Sequence, residues 1–547
     1  MVAQDTATPM AGGSEPAEAD RATAKPPLND TERRQFDLVR RFGTLGALLL
    51  ACGSLGAGAA PVFNPVPDMP VIGLFARLPS VAIACSYTGL FAILVAWLWL
   101  GRFTRPDKPR LATTRQLNRV MLLWTAPLVF IPPMFSRDVY SYLAQSKIFL
   151  LGMNPYEVGP APGLGTADLL ARNVPNVWRE TPAPYGPAFL AAGRAITSLV
   201  GGDHVISAAL LHRFLELIGV ALFVWALPRL ARRFGVQPVS ALWLGALNPL
   251  VLFHLIAGAH NEALMIGFML AGIEVALTKM PPVPLPGEPV APITRAELGY
   301  FLGGALLVSV GAAIKFTALV GLGFLGVHAA RRLGGTWRRL IQVGVVSMLV
   351  SGVVLAGFSM IGGLGFGWFS AALSTPGQIK TFLAPMTDIG NVTGQIGIAL
   401  GFGDNTDAAI DLLRQFGMVA SVLIAAAVLL LSFYGKVRPL TGIALAFGAI
   451  VFFGASVQPW YLLWAMIPLA AGIAAPRFRI WVALIVTAAT LVSPMPTGSS
   501  PTGGGFVVPE SIVLALIVLA VLLLLVRNRI PVLGFSLWRK RSLTPRD

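Results

Sequence analysis

VSALWLGALNPLVLFHLIAGAHNEALMIGFMLAGIEVALT, residues 239–278, holds two apolar stretches, 239–257 and 262–278, with His260, Asn261 and Glu262 between them. Each is close to the roughly 20 residues that carry a helix across the hydrocarbon of a bilayer. A helix on the surface of a soluble protein keeps one polar face; these two keep none. They read as two membrane helices joined by a polar hairpin tip.

The pattern recurs. The chain has 547 residues, 55% hydrophobic and 12% charged, with a mean hydropathy of +0.73. That composition predicts an all-α polytopic membrane protein with about fourteen transmembrane helices (12–15), from 42–60 through 511–526. The weakest boundaries fall at Ile314-Lys315 and Gln458-Pro459. Residues 186–201, with Arg194, read as a further span or a helix lying at the interface. Residues 1–35 are polar and rich in Ala, Pro, Glu and Thr, which predicts a disordered tail. The membrane domain is expected over 36–530, with an external loop at 135–205, and a basic tail at 531–547. Cys52 and Cys85 both lie in apolar segments, so no disulfide framework or thiolate metal site is expected.

The formal charge is +16, a value that suggests nucleic acid until the cations are placed. Arg33, Arg34, Arg40 and Arg41 precede the first span, and six Lys and Arg between Arg102 and Arg119 follow the second. Further clusters stand at 229–233, 331–339, 436–438, 477–479 and 539–541. Placing them all inside agrees with an even number of spans. The charge is therefore topological, no nucleic-acid partner is implied, and both termini are expected in the cytoplasm of a bacterial plasma membrane.

That orientation sends the unusual polar groups to the outer face. They are Arg137-Asp138, VPNVWRETPAPYGP (174–187), His260-Asn261-Glu262, Lys315, STPGQIKTFLAPMTDIGN (374–391) and SVQPWYLLW (456–464). Polar residues gathered at one face from many spans describe an assembled site more than a path across the bilayer. An enzyme ranks above a transporter.

Each feature has a plainer reading. Ser136 and Asp138 suit the start of a helix, and Tyr140 and Tyr142 suit an interfacial aromatic belt. Tyr156, Trp178 and Tyr185 sit in Pro- and Gly-punctuated turns, but together they offer flat faces for sugars or lipid headgroups. His260-Asn261-Glu262 is either a polar tip or an acid/base cluster. Lys315 either snorkels or meets an anion such as a phosphate, and Gln458, Trp460 and Tyr461 are either an anchor or part of a groove. Walker, GxSxG, HExxH and EF-hand patterns are absent. An enzyme working outside has no nucleotide sugar, so its activated substrate must come from lipid.

SRDVYSYLAQS (136–146), NPYEVGPAPGLG (154–165), VWRETPAPYGP (177–187), ALWLGALNPLVLFHLIAGAHNEALM (241–265) and SVQPWYLLWAMIPLAA (456–471) resemble the actinobacterial polyprenol-phosphate-mannose-dependent α-(1→6)-mannopyranosyltransferases. The resemblance runs from about residue 36 to about residue 530. It implies a C-type glycosyltransferase (GT-C) fold, a polyprenyl-phosphate-mannose donor, and a phosphatidylinositol mannoside or lipomannan acceptor whose α-(1→6)-mannan core is extended. It places the first external acidic residue at Asp138, after the third span, whereas many C-type enzymes carry theirs after the first. A β-linked donor giving an α-linked product requires inversion by one displacement, so Asp138 becomes the candidate base. Lys315 and Arg213 become candidates to receive the leaving phosphate, with His260 assisting. Arg137, Tyr140, Tyr142, Tyr156, Trp178, Arg179, Glu180, Tyr185, Asn261, Glu262, Gln458, Trp460 and Tyr461 are candidates for substrate binding. No cofactor is expected. A divalent cation is compatible, but one Asp and a distant Glu262 make no recognisable ligand set. A transferase for another polyprenyl-phosphate sugar, such as arabinofuranose, and a lipid or sugar transporter are the alternatives.

Overall fold

The computed structural model describes residues 25–285, 287–374, 381, 383–499 and 507–527. Most of the expected N-terminal tail, the whole expected C-terminal tail, and most of 375–382 with Lys380 lie outside the described residues. Among those described, the structure is helical without strands. The first helix, Asp30–Ala57, begins inside the segment expected as a tail. Asn29 Oδ1 accepts the Glu32 N–H at 2.8 Å and Glu32 Oε2 accepts the Asn29 N–H at 2.9 Å, a reciprocal cap that starts a helix despite polar surroundings.

Seven described helices are long and apolar enough to cross a membrane: Asp30–Ala57, Pro79–Phe103, Val205–Arg233, Arg295–Ile314, Trp337–Gly362, Thr406–Phe433 and Val507–Val526. The bent pair Pro238–Ala246 and Val251–Ala257 makes an eighth if counted as one span. The other expected spans are helices too short to pass that test, such as Glu262–Leu277 and Leu319–Arg332. The flanks expose Ile341, Met348, Leu349 and Val353 on one helix and Leu412, Phe416, Val419 and Leu423 on another, while the interior holds His212, Arg213 and Glu216. Apolar outside with polar groups inside is the distribution a lipid solvent imposes.

Breaks in helices place the site. Pro249 has no N–H, and Asn248 turns back on its own chain, taking the Leu250 N–H at 3.0 Å, so the pair bends by 61°. The segment 135–205 folds as short helices, among them Asp138–Leu150, Asn176–Arg179 and Pro187–Val200. Arg213 ties these parts together. Its guanidinium donates to the carbonyls of Val129, Ile131, Ile256 and Ala257 at 2.5 to 3.1 Å, which brings the chain leading into Asp138 against the chain leading into His260.

Basic clusters of the described residues gather at the other end. Arg479 donates to the Ser240 carbonyl, Arg438 donates to the Phe234 carbonyl, and Arg233 pairs with Glu274, all at helix ends remote from Asp138.

Helix Val205–Arg233 meets helix Glu262–Leu277 backbone to backbone at Gly219 and Gly267. A Cβ at Gly219 would stand 2.3 Å from the Ala263 carbonyl. Gly219→Ala is therefore expected to destabilise the protein by about 1–3 kcal/mol, read as a lowered thermal midpoint in detergent. Gly303→Ala meets nothing within 4 Å and should leave that midpoint unchanged or raised, because alanine is the better helix former.

Candidate active site

Asp138 opens helix Asp138–Leu150, its N–H bonded to Ser136 Oγ at 3.1 Å. Its carboxylate, 19% exposed, lies 3.6 Å from His260 Nδ1. The same nitrogen lies 3.9 Å from Glu262 Oε2, and Glu262 Oε1 accepts a hydrogen bond from Lys315 Nζ. Four residues from three segments remote in sequence thus converge.

The backbone is specialised where each of the two chain segments approaches this cluster. Phe135 (φ 61°) and Ala259 (φ 54°) adopt the left-handed conformation without being glycine. Such residues cost of order 1–3 kcal/mol and collect at functional sites. Here each turns its chain so that the next residues face the other segment. Lys315 stands at the break after helix Arg295–Ile314.

Aromatic rings close the rest. His260 stacks on Trp460 with centroids 3.9 Å apart and planes at 25°. Lys315 Nζ lies 4.8 Å from the centre of Tyr461 and 5.0 Å from that of Trp464, within cation–π range. Tyr142 packs edge-on against Tyr185 at 5.0 Å, and Trp178 lies near enough to Asp138 to favour its charged form.

Burial pushes the Asp138 carboxyl up, and the Glu262 charge adds to it; Lys315, Ser136 and Trp178 pull back only in part, leaving it at about 6. Burial and the nearby Lys315 ammonium hold the His260 imidazole well below its ordinary range, so the ring is neutral. Burial works against the Lys315 charge, but Glu262 more than offsets it and the ammonium persists. The arrangement is therefore a carboxylate poised near neutrality beside a fixed cation with spare N–H donors.

The structure sorts the sequence candidates. Asp138, His260, Glu262, Lys315, Trp460 and Tyr461 come together, with Tyr142, Trp178 and Tyr185 beside them. Asn261 lies fully buried, with both amide atoms lacking a protein partner. Arg213 does not serve this cluster as a free cation: its guanidinium is spent on four main-chain carbonyls. Arg137 donates to the Asn173 and Ala60 carbonyls and Arg179 to those of Val174 and Arg172. Tyr140 is buried with its hydroxyl on the Ala59 carbonyl, and Tyr156 bonds the Tyr185 carbonyl at 2.9 Å. All four fix the segment 135–205. Glu180 is exposed, and Gln458 precedes the turn Pro459–Tyr461. Among the described residues, no three His, Cys, Asp or Glu side chains group as a metal site. Trp464 is not among the sequence candidates, although it falls in the quoted QPWYLLW. Glu216, buried one turn beyond His212, is not among them either; an acidic residue inside an apolar span is the signal that reveals it.

Residues 40–331 match the family model described as alpha-(1->6)-mannopyranosyltransferase, N-terminal domain, and residues 386–524 match the MptB C-terminal domain. A probable alpha-(1->6)-mannopyranosyltransferase of Mycolicibacterium smegmatis is 44% identical, over 84% of this chain and 83% of its own. The chain belongs to the α-(1→6)-mannopyranosyltransferase family. Another member, from Mycobacterium tuberculosis, is 39% identical over 94% of this chain and 91% of its own, and alpha-(1->6)-mannopyranosyltransferase B of Corynebacterium glutamicum is 33% identical over 82% and 75%. The oligosaccharyltransferase of Archaeoglobus fulgidus aligns with a TM-score of 0.34 at 13% identity, covering 77% of this chain and 53% of that one. The family resemblance seen in the quoted strings is thus real, and the protein is a membrane mannosyltransferase, acting with a sugar donor and a glycan acceptor.

In this family member the Lys315–Glu262 pair is open to a stability test. Glu262→Gln leaves a buried ammonium without its counter-charge, and loss of one partner of such a pair typically costs about 3–5 kcal/mol. A lowered thermal midpoint is expected for Glu262→Gln. Combining it with Lys315→Met should restore most of the midpoint while leaving transfer activity abolished.

Proposed function

We propose that this protein moves mannose from polyprenyl-phosphate-mannose to the growing α-(1→6)-mannan core of lipomannan and lipoarabinomannan on a phosphatidylinositol mannoside. The reaction runs at the extracytoplasmic face of the plasma membrane, in a C-type glycosyltransferase fold, by a single inverting displacement. The observation that carries this reading is the meeting of Asp138, His260, Glu262 and Lys315 at one end of the helix array, with the basic clusters at the other.

In the step proposed, the acceptor C6 hydroxyl attacks the anomeric carbon from the face opposite the phosphate. The new C1–O6 bond forms as the C1–O bond to phosphate breaks. Asp138 takes the hydroxyl proton, and polyprenyl phosphate leaves as a monoester anion. Lys315 donates to the departing phosphate with the N–H groups that Glu262 does not use. Neutral His260, held flat by Trp460, borders the two carboxylates and offers a ring nitrogen to a sugar hydroxyl. The unpartnered Asn261 amide supplies a donor and an acceptor of the kind a hydroxyl needs. Tyr142, Trp178 and Tyr185 supply apolar faces for the sugar rings.

Purified protein with radiolabelled polyprenyl-phosphate-mannose and a phosphatidylinositol mannoside should give an α-(1→6)-linked product. A product formed only from polyprenyl-phosphate-arabinofuranose would reassign the sugar, and movement of intact lipid without glycosidic bond formation would make the protein a transporter. Asp138→Asn keeps the size and a hydrogen-bond acceptor but cannot take the proton, so kcat should fall by about 10²–10⁴ with expression intact. Transfer within a few-fold of the parent would pass the role of base to Glu262.

The same assignment fixes a pH dependence. The base works only when deprotonated, and its carboxyl sits at about 6. Transfer should therefore fall about tenfold per unit as pH drops below about 6 and level off above it. His260 is already neutral through this range and contributes no limb. A rate that stays flat from well below that value to well above it would contradict the assignment.

A further inference from the structure

At the end of the array remote from Asp138, helix Pro79–Phe103 finishes beside the start of helix Pro476–Leu491. The direction of the second helix is fixed by its contacts. Ser493, just beyond its end, hydrogen-bonds His254 near the active site, whereas Arg479 at its start donates to Ser240. Between the two helices lies a cavity of about 230 Å³, lined by Arg102, Arg105 and Arg479 at one end and by Leu98, Ile480 and Leu484 further along.

The walls are stiff. Trp243 and Trp97 stack at 5.1 Å and donate their indole N–H groups to each other's carbonyls at 2.8 and 2.9 Å. Arg479 is 5% exposed and ties the Ala470, Ile473 and Ser240 carbonyls together, and Ser240 bonds the Thr104 carbonyl.

Charge and depth select the occupant. The lining contains three arginines and no Asp or Glu. Arg105 is 47% exposed and shares its charge with Asp107; Arg102 is exposed and makes no hydrogen bond or ion pair among the described residues. Leu98 lies one helical turn deeper than Arg102, and Leu484 a little more than one turn beyond Arg479. At about 1.5 Å per residue their Cα atoms lie about 6–8 Å along the helices from those of Arg102 and Arg479. Leu98, Ile480 and Leu484 are between 41% and 53% exposed, open to whatever lies beside the helices. A cationic end at the depth of phosphates, continued by exposed aliphatic surface at the depth of acyl chains, matches an amphiphile with a negative head.

We propose that this cavity is a binding site for an anionic phospholipid of the leaflet opposite the active site, with its phosphate between Arg102 and Arg105 and one acyl chain along Leu98, Ile480 and Leu484. The site is separate from the mannose-transfer chemistry and does not depend on it.

Native mass spectrometry of detergent-purified protein tests it, with dioleoylphosphatidylglycerol and dioleoylphosphatidylcholine as probes. Phosphatidylglycerol is expected to bind roughly tenfold more tightly or better, as two surface cations near an anionic head allow. The Arg102→Ala/Arg105→Ala variant should lose that preference with its lipid-free thermal midpoint unchanged, since both side chains are at the surface. Arg33→Ala/Arg34→Ala, basic but outside the cavity, should keep it. Leu484→Trp, which fills the apolar part without touching the arginines, should weaken phosphatidylglycerol as well. Equal binding of the two lipids, equal loss in the Arg33/Arg34 variant, full binding to Leu484→Trp, or displacement of the lipid by inorganic phosphate alone would each overturn the proposal.

Discussion

The Arg213 guanidinium is the interaction on which the active site depends. Two chain segments, 129–137 and 258–261, leave helical geometry inside a membrane protein, and carbonyls in them and in the helical turn before them lose intrahelical partners. Unsatisfied carbonyls in a low-dielectric interior cost several kcal/mol each. Arg213, reaching from a third helix, satisfies Val129, Ile131, Ile256 and Ala257 at once. The Met134 N–H adds a direct tie to the Ala257 carbonyl at 3.1 Å. With both breaks fastened to one planar group, Phe135 and Ala259 can be held in left-handed conformations and the residues after them turned toward each other. The geometry of the candidate site follows from a requirement of backbone satisfaction.

That geometry sets two carboxylates against one ammonium. Glu262 is the nearer partner of Lys315, and its hydrogen bond fixes the lysine against Tyr461 and Trp464. Asp138 receives only the remainder of that charge, while burial and Glu262 act against its ionisation. The division suits a proton acceptor, because a carboxylate neutralised fully by lysine would be too weak a base and one left wholly alone would stay protonated.

Much of the fold could be read from the residues, since composition and apolar runs are direct consequences of a lipid solvent. Boundaries were harder. The start at Asp30 was hidden by the polar composition around a reciprocal cap, and several expected spans are short helices that the hydropathy pattern alone cannot tell from long ones. At the site, Asp138, His260, Glu262, Lys315, Trp460 and Tyr461 were each visible as polar or aromatic residues at helix ends, because charge and hydrogen-bonding groups are rare in such a chain. The role of Arg213 was not visible. An arginine in an apolar helix looks the same in sequence whether it meets a phosphate or four carbonyls, and only the path of the distant backbone decides. Glu216 does carry a sequence signal, an acid inside an apolar span, but which residues it faces depends on the contact between its helix and helix Glu262–Leu277 at Gly219 and Gly267.

The charged groups of the two ends differ in what they are paired with. Away from the site, Arg233 holds Glu274 through two hydrogen bonds and Arg479 is spent on carbonyls. Such groups are stabilised where they are and have little left to offer a substrate. Around Asp138, the Asn261 amide, one Glu262 oxygen and both His260 nitrogens are buried without a hydrogen-bonding partner from the protein. Leaving them so costs stability, on the order of 1–3 kcal/mol for each buried group, and nothing in the packing of the helices demands it. A substrate rich in hydroxyls, carrying one phosphate, can return that energy on binding. Buried polar atoms without a partner also occur elsewhere, as at Ser86, His328 and Ser432, but around Asp138 they share one cluster with two carboxylates and an ammonium, and that combination is what a sugar phosphate calls for.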